Sequence, residues 1–119
     1  MNKNIDYKPA ISKVFGLLGI GRKYSGYEIA ITAIEKVIDD PEWLYYVTKE
    51  LYPLLAEKHK CSIYSVERNI RTVARVAYER NPELLFKIAR YKLNAPPPAT
   101  DFLDMIAQYV EQAVSRGAA

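Results

Sequence analysis

Apolar residues recur at intervals of three and four positions along almost the whole of this 119-residue chain. The first such segment runs from Ile11 to Leu18 and stops at Gly19, a residue typical of helix C-termini. No run alternates between apolar and polar residues for long enough to indicate a strand. The pattern therefore predicts an all-α fold, a bundle of six to seven helices.

Polar capping residues and prolines mark where the later helices begin. Ser25 and Glu28 have the spacing of a capping box, and Asp40 and Asn81 each precede a proline that suits the first turn of a helix. The predicted helix starts are Ser25, Asp40, Pro53, Ser62, Asn81 and either Thr100 or Asp101. The residues predicted to face inward in the helix that Asp40 opens are Trp43, Leu44, Val47 and Leu51.

The length of the chain suits one domain with one modest core. We assign residues 9–114 to this domain and expect flexible ends at residues 1–8 and 115–119, which lack helical periodicity. The longest uncharged apolar stretches are far too short to cross a bilayer, and no apolar signal segment follows Met1. We therefore expect no membrane contact and a cytoplasmic location.

Few residues suit catalysis or metal binding. Cys61 is the only cysteine, which excludes an internal disulfide and leaves too few soft ligands for a structural zinc site. His59 is the only histidine, and no nucleophile-base pair or glycine-rich phosphate loop is evident. We expect a protein that is not an enzyme and that uses no cofactor and no metal.

The net charge of +3 is concentrated in one short segment. Residues 57–80 contain six Lys or Arg and three Asp or Glu, whereas the segments on either side are each neutral. A local excess of basic residues is the electrostatic feature expected of a nucleic-acid surface.

The helix predicted over about residues 63–79 separates apolar from charged residues. The predicted buried stripe consists of Ile63, Val66, Ile70, Val73 and Ala77. The opposite face carries Glu67, Arg68, Arg71 and Arg75, with Tyr64 and Tyr78. Arginine can pair with guanine, glutamate can accept from cytosine, and tyrosine can contact phosphate. The alternative is a solvated face on which Glu67 and Arg71 form an i,i+4 ion pair.

The preceding helix favours the first of these interpretations. A short helix from Pro53 to about Lys60, a tight turn to Ser62 and a longer basic helix have the dimensions of a helix-turn-helix, whose second helix enters the major groove. Many helical bundles contain two such helices without binding DNA.

Three groups of residues carry a resemblance to a known family. They are the run from Leu51-Tyr52-Pro53 to Ser62, the motif Val66-Glu67-Arg68-x-Ile70-Arg71, and the ending Asp101-Phe102-x-x-Met105-Ile106-Ala107. The first helix, which ends in glycines, and the Gly26-Tyr27 opening of the second helix also carry the resemblance. Together these features cover roughly residues 9 to 113. Over this span the chain resembles the C-terminal DNA-binding effector domain of the stage-zero sporulation master response regulator of endospore-forming bacteria.

The resemblance implies a six-helix DNA-binding domain that binds a short T-G-T-C-G-A-A box, often as tandem copies. It assigns base contacts to Glu67, Arg68 and Arg71, which the helical wheel places outward without reference to the family. Ser65 stands where a basic residue is expected and Thr72 replaces a polar aromatic, so the preferred operator stays open. The family's receiver domain is not in this chain, which is either a fragment or a stand-alone protein under other control.

The leading hypothesis is a sequence-specific, double-stranded DNA-binding transcriptional regulator related to sporulation control. The expected phosphate contacts are Lys58, Lys60, Ser62, Tyr64, Ser65 and Arg75. A second copy on tandem sites is an expected partner, because one small domain makes few phosphate contacts.

The alternative hypothesis is a protein-interaction module. The chain would then be an antagonist or adaptor of a full-length regulator or of RNA polymerase. Its contact surface would be Trp43, Tyr45 and Tyr46 or the last helix.

Overall fold

The computed structural model describes residues 5–117, and these residues form six α-helices and no strand. The helices are α1 Lys8–Leu18, α2 Gly26–Asp39, α3 Tyr52–His59, α4 Ile63–Arg80, α5 Pro82–Ala89 and α6 Ala99–Ser115. The predicted all-α bundle is confirmed. The expected flexible ends fall partly on residues 1–4 and 118–119, which lie outside the described residues.

Helix α2 lies at the centre of the bundle. It packs against α4 and α6 over its length and also contacts α1 and α3. Its sequence is apolar almost all round, as expected for a helix covered on most sides, and Ile31 and Ile34 are fully buried. Phe15 of α1 contacts both α2 and α6. The centroid of its ring lies 5.7 Å from that of Tyr27 in α2 and 6.2 Å from that of Phe102 in α6.

The first turn of α2 lies directly against the middle of α4. A Cβ atom added at Gly26 would lie 2.9 Å from Cγ2 of Val73 and would also press on the carbonyl oxygen of Asn69. Real Cβ atoms are almost never this close to a neighbour. The absence of a side chain at Gly26 therefore sets the distance between α2 and α4.

Three of the predicted helix caps are confirmed. Asp40, Ser62 and Asn81 accept hydrogen bonds from the backbone N–H groups of Glu42, Ser65 and Leu84, at 3.0, 3.0 and 3.2 Å. The predicted end of α1 is also confirmed, because Gly19 adopts the left-handed conformation with φ of 84°.

Two other predicted caps are wrong. Ser25 stands at the predicted position, but its backbone is already helical and its side chain makes no capping hydrogen bond. Helix α6 begins at Ala99, one residue before Thr100. The carbonyl of Pro98 accepts from the N–H of Phe102 at 2.9 Å, so the backbone of the proline run starts the helix and no side-chain cap is used.

The predicted third α-helix is absent. Residues Pro41–Tyr45 form a 3-10 helix, Tyr46 interrupts it, and Val47–Leu51 form a π-helical turn that runs into α3. Val47 and Leu51 are buried as predicted, whereas Trp43 and Leu44 are only half-buried.

The widened turn has a local cause in Pro53. Proline has no N–H to donate, and its ring crowds the carbonyl four residues earlier. The N–H groups of Leu51 and Tyr52 instead reach back five residues, to the carbonyls of Tyr46 and Val47.

None of the described helices combines the length and apolar character needed to cross a bilayer.

Candidate nucleic-acid interface

Helices α3 and α4 pack against each other and are joined by a turn of three residues. Helix α3 ends at His59, and the next residue, Lys60, takes the left-handed conformation with φ of 57°. The N–H of Cys61 then donates to the carbonyl of Ala56 at 3.0 Å. A left-handed non-glycine residue costs about 1 kcal/mol or more. This turn therefore holds the exposed Lys60 side chain at the point where the chain reverses.

Two serines organise the start of α4. Ser62 Oγ accepts from the backbone N–H of Ser65 and donates to Ser65 Oγ, both at 3.0 Å. A capped N-terminus carries the positive end of the helix dipole, and its remaining N–H groups suit an anion. The structure thus brings Ser62 and Ser65 together as a cap at this end of α4.

The predicted charged face of α4 is exposed in the structure. Arg68, Arg71 and Arg75 are exposed, Glu67 is half-buried, and Tyr64 is 67% exposed. The opposite face is buried through Val66, Ile70, Val73, Ala74, Val76 and Ala77. The helical wheel and the tertiary structure agree on the orientation of this helix.

Two residues of α4 differ from the sequence prediction. Ile63, predicted to be buried, is 43% exposed because it lies in the first turn, beyond the part of α4 that its neighbours cover. Tyr78, predicted to face outward, is half-buried and lies edge-on to Phe86 of α5 at 6.2 Å. Helix α5 covers it because the chain folds back directly after Asn81.

Each acidic side chain on this face is paired with an arginine one turn away. The Nη1 atom of Arg71 lies 2.8 and 3.1 Å from the two carboxylate oxygens of Glu67, and that of Arg75 lies 3.3 Å from Glu79. Such exposed i,i+4 pairs contribute only a few tenths of a kcal/mol to stability. Their main effect is therefore on where the arginine side chains lie.

Arg68 has an aromatic neighbour. Its guanidinium carbon lies 5.7 Å from the centroid of the Tyr64 ring, within the distance of a cation–π contact. Tyr64 precedes Arg68 by four positions, so both side chains lie on the same side of α4. The ring is a platform for the guanidinium.

The basic residues of segment 57–80 do not all belong to this face. Lys58 is exposed at the last turn of α3. Arg80 is drawn away from the face: its stem lies against Gly19, and its Nη2 donates to the Tyr24 hydroxyl at 3.3 Å. No local pattern in the sequence indicates this contact, because Tyr24 and Arg80 are 56 positions apart.

His59 lies at the end of α3 and is half-buried. Its Nε2 atom is buried and has no hydrogen-bond partner among the described residues. Burial lowers the pKa of His59, and the nearby Lys58 lowers it further, against a smaller opposing effect of Glu28. Within residues 5–117, no three His, Cys, Asp or Glu side chains are grouped so that they could hold a metal ion.

One sequence comparison bears on this surface. The model of a family described as "Sporulation initiation factor Spo0A C terminal" matches residues 11–110. The matched span runs from the first turn of α1 into the last third of α6, and it includes α3, the turn and the whole of α4.

Proposed function

The chain belongs to the sporulation initiation factor Spo0A C-terminal family, whose domains bind DNA and regulate sporulation, and on this premise we propose how it reads DNA. In this proposal the chain is a sequence-specific transcriptional regulator that inserts α4 into the major groove of double-stranded DNA. The family is not a known enzyme family, and we propose no catalytic activity.

The observation that carries this proposal is the exposed face of α4. It presents three arginines and a carboxylate on one side of an eighteen-residue helix whose other side is anchored in the core. A helix of this kind fits the width of the major groove, and helix α3 before it would lie across the DNA backbone.

We assign base contacts to Glu67, Arg68 and Arg71. The two arginines would pair with O6 and N7 of guanines, which is the commonest specific contact in the major groove. Glu67 would accept from a cytosine N4 or hold Arg71 in position. The Glu67–Arg71 pair at 2.8 Å supports the second of these roles.

We assign phosphate contacts to residues around the turn and along one edge of α4. These residues are Lys58, Lys60, Ser62, Tyr64, Ser65 and Arg75. The positions of three of these residues support the assignment. Ser62 and Ser65 form the capped N-terminus of α4, and Lys60 is exposed in the turn just before it. A second copy on tandem sites would supply further contacts.

Ile63 adds a contact that the sequence analysis missed. Its side chain is exposed at the first residue of α4, where recognition helices contact base edges. An apolar side chain in that position suits the methyl group of thymine.

The experiment that tests this function is fluorescence anisotropy of the chain with two duplexes at several salt concentrations. One duplex carries two T-G-T-C-G-A-A boxes, and the other is scrambled. We expect tighter binding to the first duplex and a negative slope of log affinity against log salt. Arg71→Ala should cost about 1–3 kcal/mol on the specific duplex only.

Arg116→Ala provides the control, because Arg116 is exposed at the far end of α6 and carries the same charge. It should leave both affinities unchanged. Equal binding of wild type and Arg71→Ala to both duplexes would contradict the assignment of α4.

Exposed aromatic residues favour a second candidate function, protein binding. Tyr45 is 80% exposed and Tyr46 is 51% exposed, next to the half-buried Trp43. In this candidate the chain is an antagonist or adaptor of a full-length regulator or of RNA polymerase. Light scattering of the mixed proteins without DNA distinguishes it, since only this function requires a stable complex there.

A further inference from the structure

The segment between α2 and α3 has a charge opposite in sign to that of α4. Residues 40–51 contain three carboxylates and one lysine. Five residues of this segment line a notch of about 130 Å3, and we call them the aromatic-acidic patch: Asp40, Glu42, Trp43, Tyr46 and Glu50. The patch spans the 3-10 helix, which contacts α2, and the π-helical turn, which contacts α3.

Among the described residues, no Lys or Arg forms an ion pair with a carboxylate of the patch, Asp40, Glu42 or Glu50. Asp40 Oδ1 accepts from the backbone N–H of Glu42 at 3.0 Å, which restrains its carboxylate. A cation entering the notch would therefore meet carboxylates that are not engaged in a direct ion pair.

The aromatic rings of the patch suit the same kind of ligand. Lys36 Nζ lies 6.0 Å from the centroid of the Trp43 ring, so this ring already attracts one cation of the protein itself. Tyr46 is exposed beside it, and Tyr45 extends the aromatic surface outward. Tyr46 is held there by the break between the 3-10 helix and the π-helical turn, where its φ is −131° and its ψ is 39°. Helical irregularities of this kind are frequent at functional sites.

We propose that the aromatic-acidic patch is a docking site for a lysine- or arginine-bearing segment of another protein. The notch has room for the head of one basic side chain, and the neighbouring Tyr45 gives an extended peptide a surface to lie on. The carboxylates repel phosphate, which makes this surface unsuitable for nucleic acid. The proposal does not depend on DNA recognition by α4.

Trp43 provides the signal for a direct test, because it is the only tryptophan of the chain. The full chain is titrated with a capped peptide of alternating glycine and arginine while tryptophan fluorescence is recorded. The matched peptide carries citrulline, which has nearly the shape of arginine and no charge. We expect a saturable change with the arginine peptide and none with the citrulline peptide.

The decisive comparison uses two double variants with the same change in net charge. Glu42→Gln with Glu50→Gln should weaken binding of the arginine peptide about five- to tenfold. Glu83→Gln with Glu111→Gln, two exposed carboxylates of α5 and α6, should change it less than about twofold. Circular dichroism confirms that both variants are folded.

Three results would overturn the proposal: no saturable change with the arginine peptide, equal binding of the citrulline peptide, or equal weakening in both double variants. A fluorescence change that depends on protein concentration without peptide would also overturn it, since a second copy would then occupy the patch. The anisotropy assay on Glu42→Gln with Glu50→Gln separates the two proposals, because operator binding should be unchanged whatever the peptide does.

Discussion

At the scale of single residues, the arginines of α4 differ in what lies beside them. Arg71 and Arg75 are each held by a glutamate four positions away, and Arg68 lies over an aromatic ring. These contacts contribute little to folding because they are exposed to water. They restrict long side chains before any ligand arrives, and this would reduce the entropy lost if an arginine binds a base as proposed.

The contact between Arg68 and Tyr64 leads to a prediction that separates two roles of the tyrosine. If the ring positions Arg68, Tyr64→Phe should keep operator affinity, and Tyr64→Leu should weaken it about two- to fivefold. If the hydroxyl binds phosphate instead, Phe and Leu should weaken binding equally. Anisotropy with the two-box duplex measures both variants.

A double-mutant cycle with Arg68→Ala gives the control. Tyr64→Leu should have no further effect once Arg68 is absent, because the ring then has no guanidinium to hold. Additive effects of the two substitutions would contradict the positioning role.

At the scale of elements, the orientation of α4 depends on its close contact with α2. Gly26 allows the backbone of α2 to approach Asn69 and Val73, and α4 is otherwise covered by α3, α5 and α6. The buried side of α4 therefore packs against α2, the most buried helix of the bundle, and this contact orients the exposed face of α4.

We predict that Gly26→Ala destabilises the protein. The new methyl group has to displace the α4 backbone, and such overpacking costs about 1–3 kcal/mol. Urea unfolding followed by circular dichroism measures the change.

Gly16→Ala in α1 is the matched control, since a Cβ atom there meets no atom within 4 Å. It should stabilise the protein by about 0.5–1 kcal/mol, because alanine favours the helix. Equal effects of the two substitutions would show that the α2–α4 contact is not tight.

At the scale of the whole molecule, the two charged surfaces described above lie on different elements. Arg68, Arg71 and Arg75 are on the exposed face of α4, and the aromatic-acidic patch is on the segment between α2 and α3. His59 lies between these two regions in the sequence, and the charges of Lys58 and Glu28 affect its pKa. Its burial couples the stability of the fold to pH.

We predict that the free energy of unfolding decreases as the pH falls below about 6.5, the ordinary pKa of histidine. The unfolded chain takes up a proton there, whereas folded His59 resists protonation because its pKa is lowered by burial. Stability is complete above this pH and is lost as the pH falls toward the lowered value. Urea unfolding between neutral and mildly acidic pH measures the loss.

His59→Phe is the control for this prediction, because phenylalanine fills similar space and does not titrate. As His59 is the only histidine, this variant should lose most of the pH dependence in that range. An unchanged pH dependence would assign it to other groups.

The sequence by itself determined the helical class, most helix boundaries and the exposed side of α4. These depend on local physics: Asp40, Ser62 and Asn81 cap helices through contacts within three residues, and the 3.6-residue period separates Val66 and Ile70 from the arginines. The contacts that such patterns describe lie within one or two turns, so they can be found without knowing the fold.

Only the tertiary structure decided which surfaces are covered, and it also revealed where the chain departs from a regular helix. Tyr78 is half-buried because α5 packs on it, and Ile63 is exposed because it lies beyond the part of α4 that its neighbours cover. Arg80 donates a hydrogen bond to the Tyr24 hydroxyl of a distant loop. The π-helical turn at Val47–Leu51 is the exception, because its cause, Pro53, lies nearby in the sequence. Most of these outcomes depend on partners far away in sequence, and the periodicity of a single segment contains no information about them.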